Sequence, residues 1–294
     1  MKILLLGKGG QVGWELQRAL APLGELIAHD LDTADFTRPD QVAALARDTR
    51  ADVIVNAAAH TAVDKAESEP DLVRLINATT PAALAAVAAE QGSWLVHYST
   101  DYVFDGSGST ARTEDAPVAP LSVYGQTKLE GEQAITASGC QHLIFRTSWV
   151  FGARGGNFAK TMLKLAAERE ALKVINDQVG APTGADLLAD ITAHALRTAQ
   201  QRPEVSGLYH LVAGGETTWF DYARFVIEWA RARGVAVKVA PDAIAPVPTT
   251  EYPTPARRPL NSRLNTNKLQ AAFGLRLPHW QAGVERMLTE HLGV

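Results

Sequence analysis

Three side chains near the middle of the chain have the types and spacing to move a proton to or from a carbonyl or an alcohol. Thr100 follows an apolar run, Trp94 to Tyr98, in the stretch Ser99-Thr100-Asp101-Tyr102-Val103-Phe104. Tyr124 and Lys128 bracket Tyr124-Gly125-Gln126-Thr127-Lys128. Positions four apart share one face of a helix, so a phenol and an ammonium would stand side by side. A phenol has an ordinary pKa of about 10 and exchanges protons poorly at neutral pH. A neighbouring cation favours the phenolate and lowers that value. The result is a general acid or base for a carbonyl or alcohol. A core-edge tyrosine beside a solvated lysine has the same spacing, so the reading depends on a cofactor site elsewhere.

The elements that must carry these residues alternate in type. Met1 to Leu6 reads as a fully buried strand, followed at once by Gly7-Lys8-Gly9-Gly10-Gln11-Val12-Gly13 and a helix-spaced stretch from Trp14 to Leu23. Strand, glycine turn and helix form the context of a dinucleotide fingerprint. The glycines fall as G-x-x-G-x-x-G. Glycine lets the backbone turn and approach a pyrophosphate, whose charge then rests on the helix N-terminus. Gly7, Lys8, Gly10, Gln11, Val12 and Gly13 are therefore candidate cofactor contacts.

Glu25 to Ala28 is a second short strand ending at His29-Asp30. An acid about 20 residues past the glycines can accept hydrogen bonds from the adenosine ribose, so Asp30 argues for NADH. Lys8 could pair with a 2′-phosphate and argues for NADPH. Asp35 and Phe36 could flank the adenine or form a surface turn. Asp52 to Asn56 is a third buried strand, running into Ala57-Ala58-Ala59-His60, whose small residues leave room for a ligand. Ala58, Ala59 and His60 join the cofactor candidates. Leu72 to Glu90 reads as a helix and Trp94 to Thr100 as the fourth strand. This alternation predicts an α/β fold, a doubly wound parallel sheet of the Rossmann kind. Ligands bind such sheets at the carboxyl ends of the strands, where Thr100 lies.

Composition narrows the classes. The chain has 294 residues, 46% hydrophobic and 20% charged, with a net charge of −4. Nothing basic enough for nucleic acid is present. Cys140 is the only cysteine, which excludes an internal disulfide framework and a CxxC metal site. The apolar run at the start, Ile3 to Leu6, is too short for a membrane span or signal core. A soluble, cytoplasmic protein is expected.

Taken together, the glycine turn, Asn56-Ala57-Ala58-Ala59, Ser99-Thr100-Asp101 and the Tyr124/Lys128 pair resemble an extended short-chain dehydrogenase/reductase. More narrowly, Ala57 to Pro70, Tyr98 to Phe104, Phe145 to Val150, Val174 to Thr183 and Thr254 to Asn265 are similar to the dTDP-4-dehydrorhamnose reductase family. That resemblance implies Tyr124 as proton donor, Lys128 as its electrostatic partner and holder of the nicotinamide ribose, and Thr100 as the group orienting the substrate oxygen. It implies NADPH or NADH as cofactor and dTDP-4-dehydro-L-rhamnose as substrate, contacted by Thr100, Asp101, Trp149 and Arg257. It also implies a homodimer, with Mg²⁺ held by Glu15, Asp186 and Asp190; solvated helix acids would look the same. Related sugar-nucleotide dehydratases carry Asp-Glu after the threonine. Here the pair is Asp101-Tyr102, and a phenol is a poor substitute for a carboxylate base.

The second half is expected to supply a smaller substrate domain. The division falls near 170, with 1–170 mainly dinucleotide-binding, 171–294 mainly substrate-binding, and some segments exchanged. Leu121 to Ala137 is the expected dyad helix, and Leu143 to Val150 a strand leading to Trp149. Trp149 suits either nucleobase stacking or core packing. Leu172 to Ile175 and Gly207 to Val212 read as strands. Helices are expected over Phe158 to Ala167, Leu187 to Ala199, Phe220 to Ala232 with Thr218 as N-cap, Asn265 to Phe273 and Trp280 to Leu292. Ala240 to Pro259 is proline-rich and reads as a long shaped loop, ending in Arg257-Arg258, a pair suited to a pyrophosphate. Eight scattered histidines show no metal spacing. A non-catalytic cofactor-binding subunit, or a reductase or epimerase for another nucleotide sugar, would share much of this pattern.

Overall fold

In a computed structural model that describes residues 1–293, a six-stranded parallel sheet is the frame. Its strands are β1 (Lys2–Leu6), β2 (Glu25–His29), β3 (Val53–Asn56), β4 (Trp94–Thr100), β5 (Gln141–Thr147) and a late strand β10 (Gly207–His210). The spatial order is β10-β5-β4-β3-β1-β2, and every pairing is parallel. Strands covered on both faces must be apolar throughout. Ile3 to Leu6 and Val53 to Val55 are all fully buried. Each such side chain contributes roughly 2 kcal/mol by leaving water.

Helices cover both faces. α1 (Gln11–Leu20) and α8 (Ala185–Gln201) pack on one; α2 (Pro39–Thr49), α5 (Thr80–Gln91) and α6 (Val123–Ala137) lie on the other. Two short helices, α3 (Val63–Ala66) and α4 (Pro70–Arg74), precede α5, and a π-helical stretch, Leu75–Thr79, joins α4 to α5. The single long helix expected over 72–90 is thus a run from Pro70 to Gln91 with a π turn inside it. By length and composition this run alone, among the described residues, could cross a membrane; half of its most apolar window is buried in the protein.

A second body uses later segments. β6 (Val150–Phe151), α7 (Phe158–Glu168), β7 (Leu172–Ile175), β8 (Val179–Gly180), β9 (Thr183–Gly184), β11 (Thr217–Thr218), α9 (Trp219–Ala232), β12 (Ile244–Val247), α10 (Asn267–Phe273) and α11 (Trp280–Leu292) complete the chain. α7, α9 and α11 share a core of Leu163, Tyr222, Trp229, Trp280 and Met287. α8, β10 and α10 return to the main sheet, where Leu188, Tyr209 and Phe273 join its core.

Three expectations change. Helix α1 begins directly after Gly10 instead of at Trp14, so its first turn lies inside the glycine stretch. The strand expected to reach Val150 stops at Thr147, because Trp149 adopts φ +49°, a left-handed conformation unusual for a bulky residue. The proline-rich loop contains β12, which pairs with β7 alone; an edge strand tolerates Pro246 because its missing N–H faces away from the ladder.

Candidate active site

The carboxyl ends of β1 and β3 adjoin where the strand order turns outward in both directions, the place where such sheets bind ligands. Their approach requires glycine. A Cβ on Gly7 would stand 2.7 Å from the Ala58 nitrogen, and one on Gly13 would stand 1.9 Å from the Gly7 carbonyl. Gly10 caps α1 with no side-chain hydrogen bond, so the first-turn N–H groups beside Gln11 and Val12 face the crevice. Backbone donors on a bare helix N-terminus fit a pyrophosphate.

At the end of β2, Asp30 lies against Gly9, and the Lys8 ammonium reaches the Ala28 carbonyl at 3.4 Å. The groups arguing for NADH and for NADPH therefore share one corner. Asp35 accepts from the Thr37 amide and hydroxyl (2.9 and 2.7 Å), bonds that hold its carboxyl below the usual range. Phe36 is 4% exposed and packs among Leu4, Leu6 and Val42. Its ring is spent on the core instead of being offered to an adenine. His60 is fixed through its backbone: its N–H donates to Asn77 (2.9 Å), which donates back to the His60 carbonyl (3.1 Å). Asn77 sits in the π turn, and such turns recur at functional sites.

A cavity of about 360 Å³ opens over the ends of β3, β4 and β5. Gln11, Val12, Ala59, Thr100, Asp101, Tyr124, Lys128 and Trp149 line it together. Gly7, Lys8, Asp30 and Asp35 lie outside it along the crevice. Buried polar atoms cluster at its wall without hydrogen-bond partners: Ser99 Oγ, Asp101 Oδ2, Thr147 Oγ1, Ser148 Oγ and Gln11 Oε1. Unpaired buried groups are costly, and their concentration here fits a polar ligand such as a nicotinamide dinucleotide or a sugar nucleotide.

Ser122 caps α6, accepting from the Gly125 amide at 3.2 Å, and the helix brings Tyr124 and Lys128 to the cavity. The expected lowering of the Tyr124 pKa does not occur in this form. Burial pushes the phenol up to about 12, partly offset by the nearby Thr100 hydroxyl. Lys128 gives it no help because its ammonium is engaged elsewhere. Its Nζ lies 2.6 Å from the Tyr98 carbonyl and 3.1 Å from His97 Nε2. Burial lowers this lysine to about 8.

His97 is a residue the sequence reading missed. It is buried in β4, its Nδ1 lies 3.0 Å from Asn56 Nδ2, and Asn56 accepts from the Ala58 amide at 3.0 Å. A continuous chain thus runs from the cofactor crevice to the lysine. Burial keeps His97 neutral well below the ordinary histidine range. The only signal in the sequence was a histidine inside an apolar strand.

Trp149 lines the cavity with one face covered: it stacks on Trp219 at 3.6 Å and 15°. Trp219 in turn donates its indole N–H to Gln178 at 3.0 Å. The adjacent arginines separate in role. Arg258 forms two bonds with Asp64 (3.0 and 2.8 Å), whereas Arg257 is exposed and makes no hydrogen bond or ion pair among the described residues. A paired grip on one pyrophosphate is not what this conformation offers.

The acids proposed for Mg²⁺ do not fit it within one chain. Arg18 contacts both Glu15 (3.4 Å) and Asp190 (2.8 Å), and Arg286 contacts Asp186 (3.3 Å). Among the described residues no three acids, histidines or cysteines are grouped to hold a metal. The charge a cation would neutralise is already met by guanidinium.

Residues 1–292 match the family model described as "RmlD substrate binding domain". The chain is 62% identical over 294 residues to the dTDP-4-dehydrorhamnose reductase of Escherichia coli (strain K12), covering 99% of this chain and 98% of that one. The enzyme of the same name from Burkholderia thailandensis is 47% identical, with 97% of each covered. Among solved structures, a dTDP-4-dehydrorhamnose reductase from Clostridium acetobutylicum superposes with a TM-score of 0.89 at 38% identity, covering 100% of both chains. One from Bacillus anthracis in complex with NADP gives 0.88 at 34%, covering 98% of this chain and 99% of that one. On these matches, the chain belongs to the dTDP-4-dehydrorhamnose reductase family.

Proposed function

We propose that this chain reduces the 4-keto group of dTDP-4-dehydro-L-rhamnose to give dTDP-L-rhamnose, the last step of dTDP-rhamnose synthesis, with NADPH or NADH as reductant. The observation that carries this reading is the gathering of Thr100, Tyr124 and Lys128 around one cavity lined with unpaired polar atoms. The bound dinucleotide supplies hydride to sugar C4. Gly7, Gly10, Gly13 and the first turn of α1 hold its pyrophosphate, with Ala58, Ala59 and His60 along its path. Asp30 and Lys8 divide the adenosine ribose between them. Tyr124 gives its proton to the substrate oxygen, which Thr100 steadies as negative charge develops. Lys128 stabilises the phenolate left behind. Trp149 walls the sugar, and the free Arg257 meets the diphosphate.

The same reading makes the protein a cytoplasmic enzyme with a small-molecule substrate and no nucleic-acid or membrane partner. It acts as a homodimer. The half-exposed Trp14, with Arg154 stacked 4.1 Å over its ring, supports an association face on α1.

The test is the oxidation of NADPH and NADH, followed by absorbance, with dTDP-4-dehydro-L-rhamnose generated in situ. Oxidation accompanied by dTDP-L-rhamnose is the expected result, and the ratio of rates weighs Lys8 against Asp30. No oxidation by protein that binds either cofactor would overturn the proposal.

A further inference from the structure

Thr100 has one hydroxyl proton. That proton points to Asp101: Thr100 Oγ1 donates to Asp101 Oδ1 at 3.2 Å and accepts from the Tyr102 amide at 3.2 Å. With Asp101 ionised, the Thr100 hydroxyl proton is therefore held by the carboxylate. That proton then points away from the place a substrate carbonyl must occupy, and it is not positioned for reduction.

Asp101 is built to change this. It is 2% exposed, makes no ion pair, and presents Oδ2 without a partner in the cavity wall. The titratable groups that face it are Tyr102 and Tyr124, while the Ser262 and Thr100 hydroxyls favour its ionised form. The nearby cations are engaged elsewhere, Lys128 by Tyr98 and His97 and Arg258 by Asp64. Burial already raises the carboxyl to about 6. A dinucleotide and a sugar diphosphate bring further negative charge and expel water, and both favour the neutral acid.

We propose that Asp101 takes up a proton as cofactor and substrate bind, and that as a neutral acid it donates to Thr100 Oγ1 and frees the Thr100 proton for the substrate oxygen. A carboxylic acid kept neutral by its site is a known way to supply a donor near neutral pH. Asp101 loses no proton in the reaction itself; the proton transferred is that of Tyr124. Asp101 acts through Thr100 and is a positioning residue.

The inference rests on the proposed reaction, and calorimetry separates the two. Protein saturated with NADP⁺ is titrated with thymidine diphosphate near pH 7.5, in two buffers of different ionisation enthalpy. Wild type should take up close to one proton per site more than Asp101→Asn, a difference that cancels any contribution from Lys128. In turnover, wild-type kcat should fall about tenfold per pH unit above the apparent pKa of the ternary complex. The Asn variant, whatever its absolute rate, should be flat across that range, because its amide donates to Thr100 at every pH. Binding by wild type with no proton uptake, or an Asn variant that keeps the descending limb, overturns the inference. Failure of both NADP⁺ and thymidine diphosphate to bind would instead overturn the reaction on which it rests.

Discussion

At the scale of single residues, the phenol proposed as proton donor is set by burial more than by charge. Desolvation holds Tyr124 near 12, and Lys128 does not reverse this because Tyr98 and His97 occupy its ammonium. For a reductase that balance is useful. The group must arrive protonated, and a phenol near 12 stays protonated through the neutral range. The cost appears after proton transfer, when a buried phenolate needs a cation, and then Lys128 four residues along the helix is the one at hand. Tyr124→Phe removes the proton and leaves the ring, so the cavity wall and the cofactor crevice persist. We expect kcat to fall by about 10²- to 10⁴-fold, the usual contribution of a positioned acid, with NADPH affinity within threefold of wild type. Steady-state turnover beside fluorescence titration of NADPH measures both. Near-normal turnover would remove Tyr124 from the mechanism.

At the scale of elements, the dyad depends on how α6 is fastened to the sheet. Glu132, one turn beyond Lys128, forms a two-bond pair with Arg146 of β5 at 2.9 and 2.6 Å, with both side chains about 5% exposed. Arg146 also lies 5.1 Å from the centroid of the Phe104 ring. On its other side α6 meets the π turn so closely that a Cβ on Gly131 would stand 2.4 Å from the Asn77 carbonyl. Sheet and π turn together fix the rotation of α6, and that rotation aims Tyr124 and Lys128. A buried pair adds little net stability over apolar residues, but removing one partner strands the other charge. Glu132→Ala should therefore lower unfolding stability by about 3–5 kcal/mol. Urea denaturation followed by circular dichroism would show it as a lower midpoint. A loss under 1 kcal/mol would mean that Arg146 finds another partner and that the pair does not anchor the helix.

At the scale of the whole molecule, what could be read from the sequence divides along chain separation. β1, β3 and β4 were legible because strands buried on both faces must be continuously apolar; that put Thr100 at a strand end, and Tyr124 and Lys128 on one helix face because they stand four residues apart. Phe36, the strand end before Trp149 and β12 were misread for the opposite reason. Ring placement, the left-handed turn at Trp149 and the pairing of a proline-bearing strand are decided by partners far along the chain. The fate of the two arginines is the extreme case, since Asp64 lies 194 residues from Arg258. That pair, joined by a bond from the Ala256 amide to the same carboxylate at 3.2 Å, ties the end of the proline-rich segment to α3 beside the cavity. Neither side chain is deeply buried, so the clasp is worth at most about 1 kcal/mol to folding. In the proposed role of Arg257, its larger effect is to hold that neighbour in place before a diphosphate arrives, and order established in advance appears as affinity. Asp64→Ala should thus leave the thermal midpoint within about 2 °C of wild type. It should raise KM for the sugar nucleotide by about tenfold, with kcat nearly unchanged, the signature of lost uniform binding. If kcat falls instead while KM holds, the clasp serves the reacting centre, and the Pro253–Pro259 segment belongs to catalysis rather than to substrate capture.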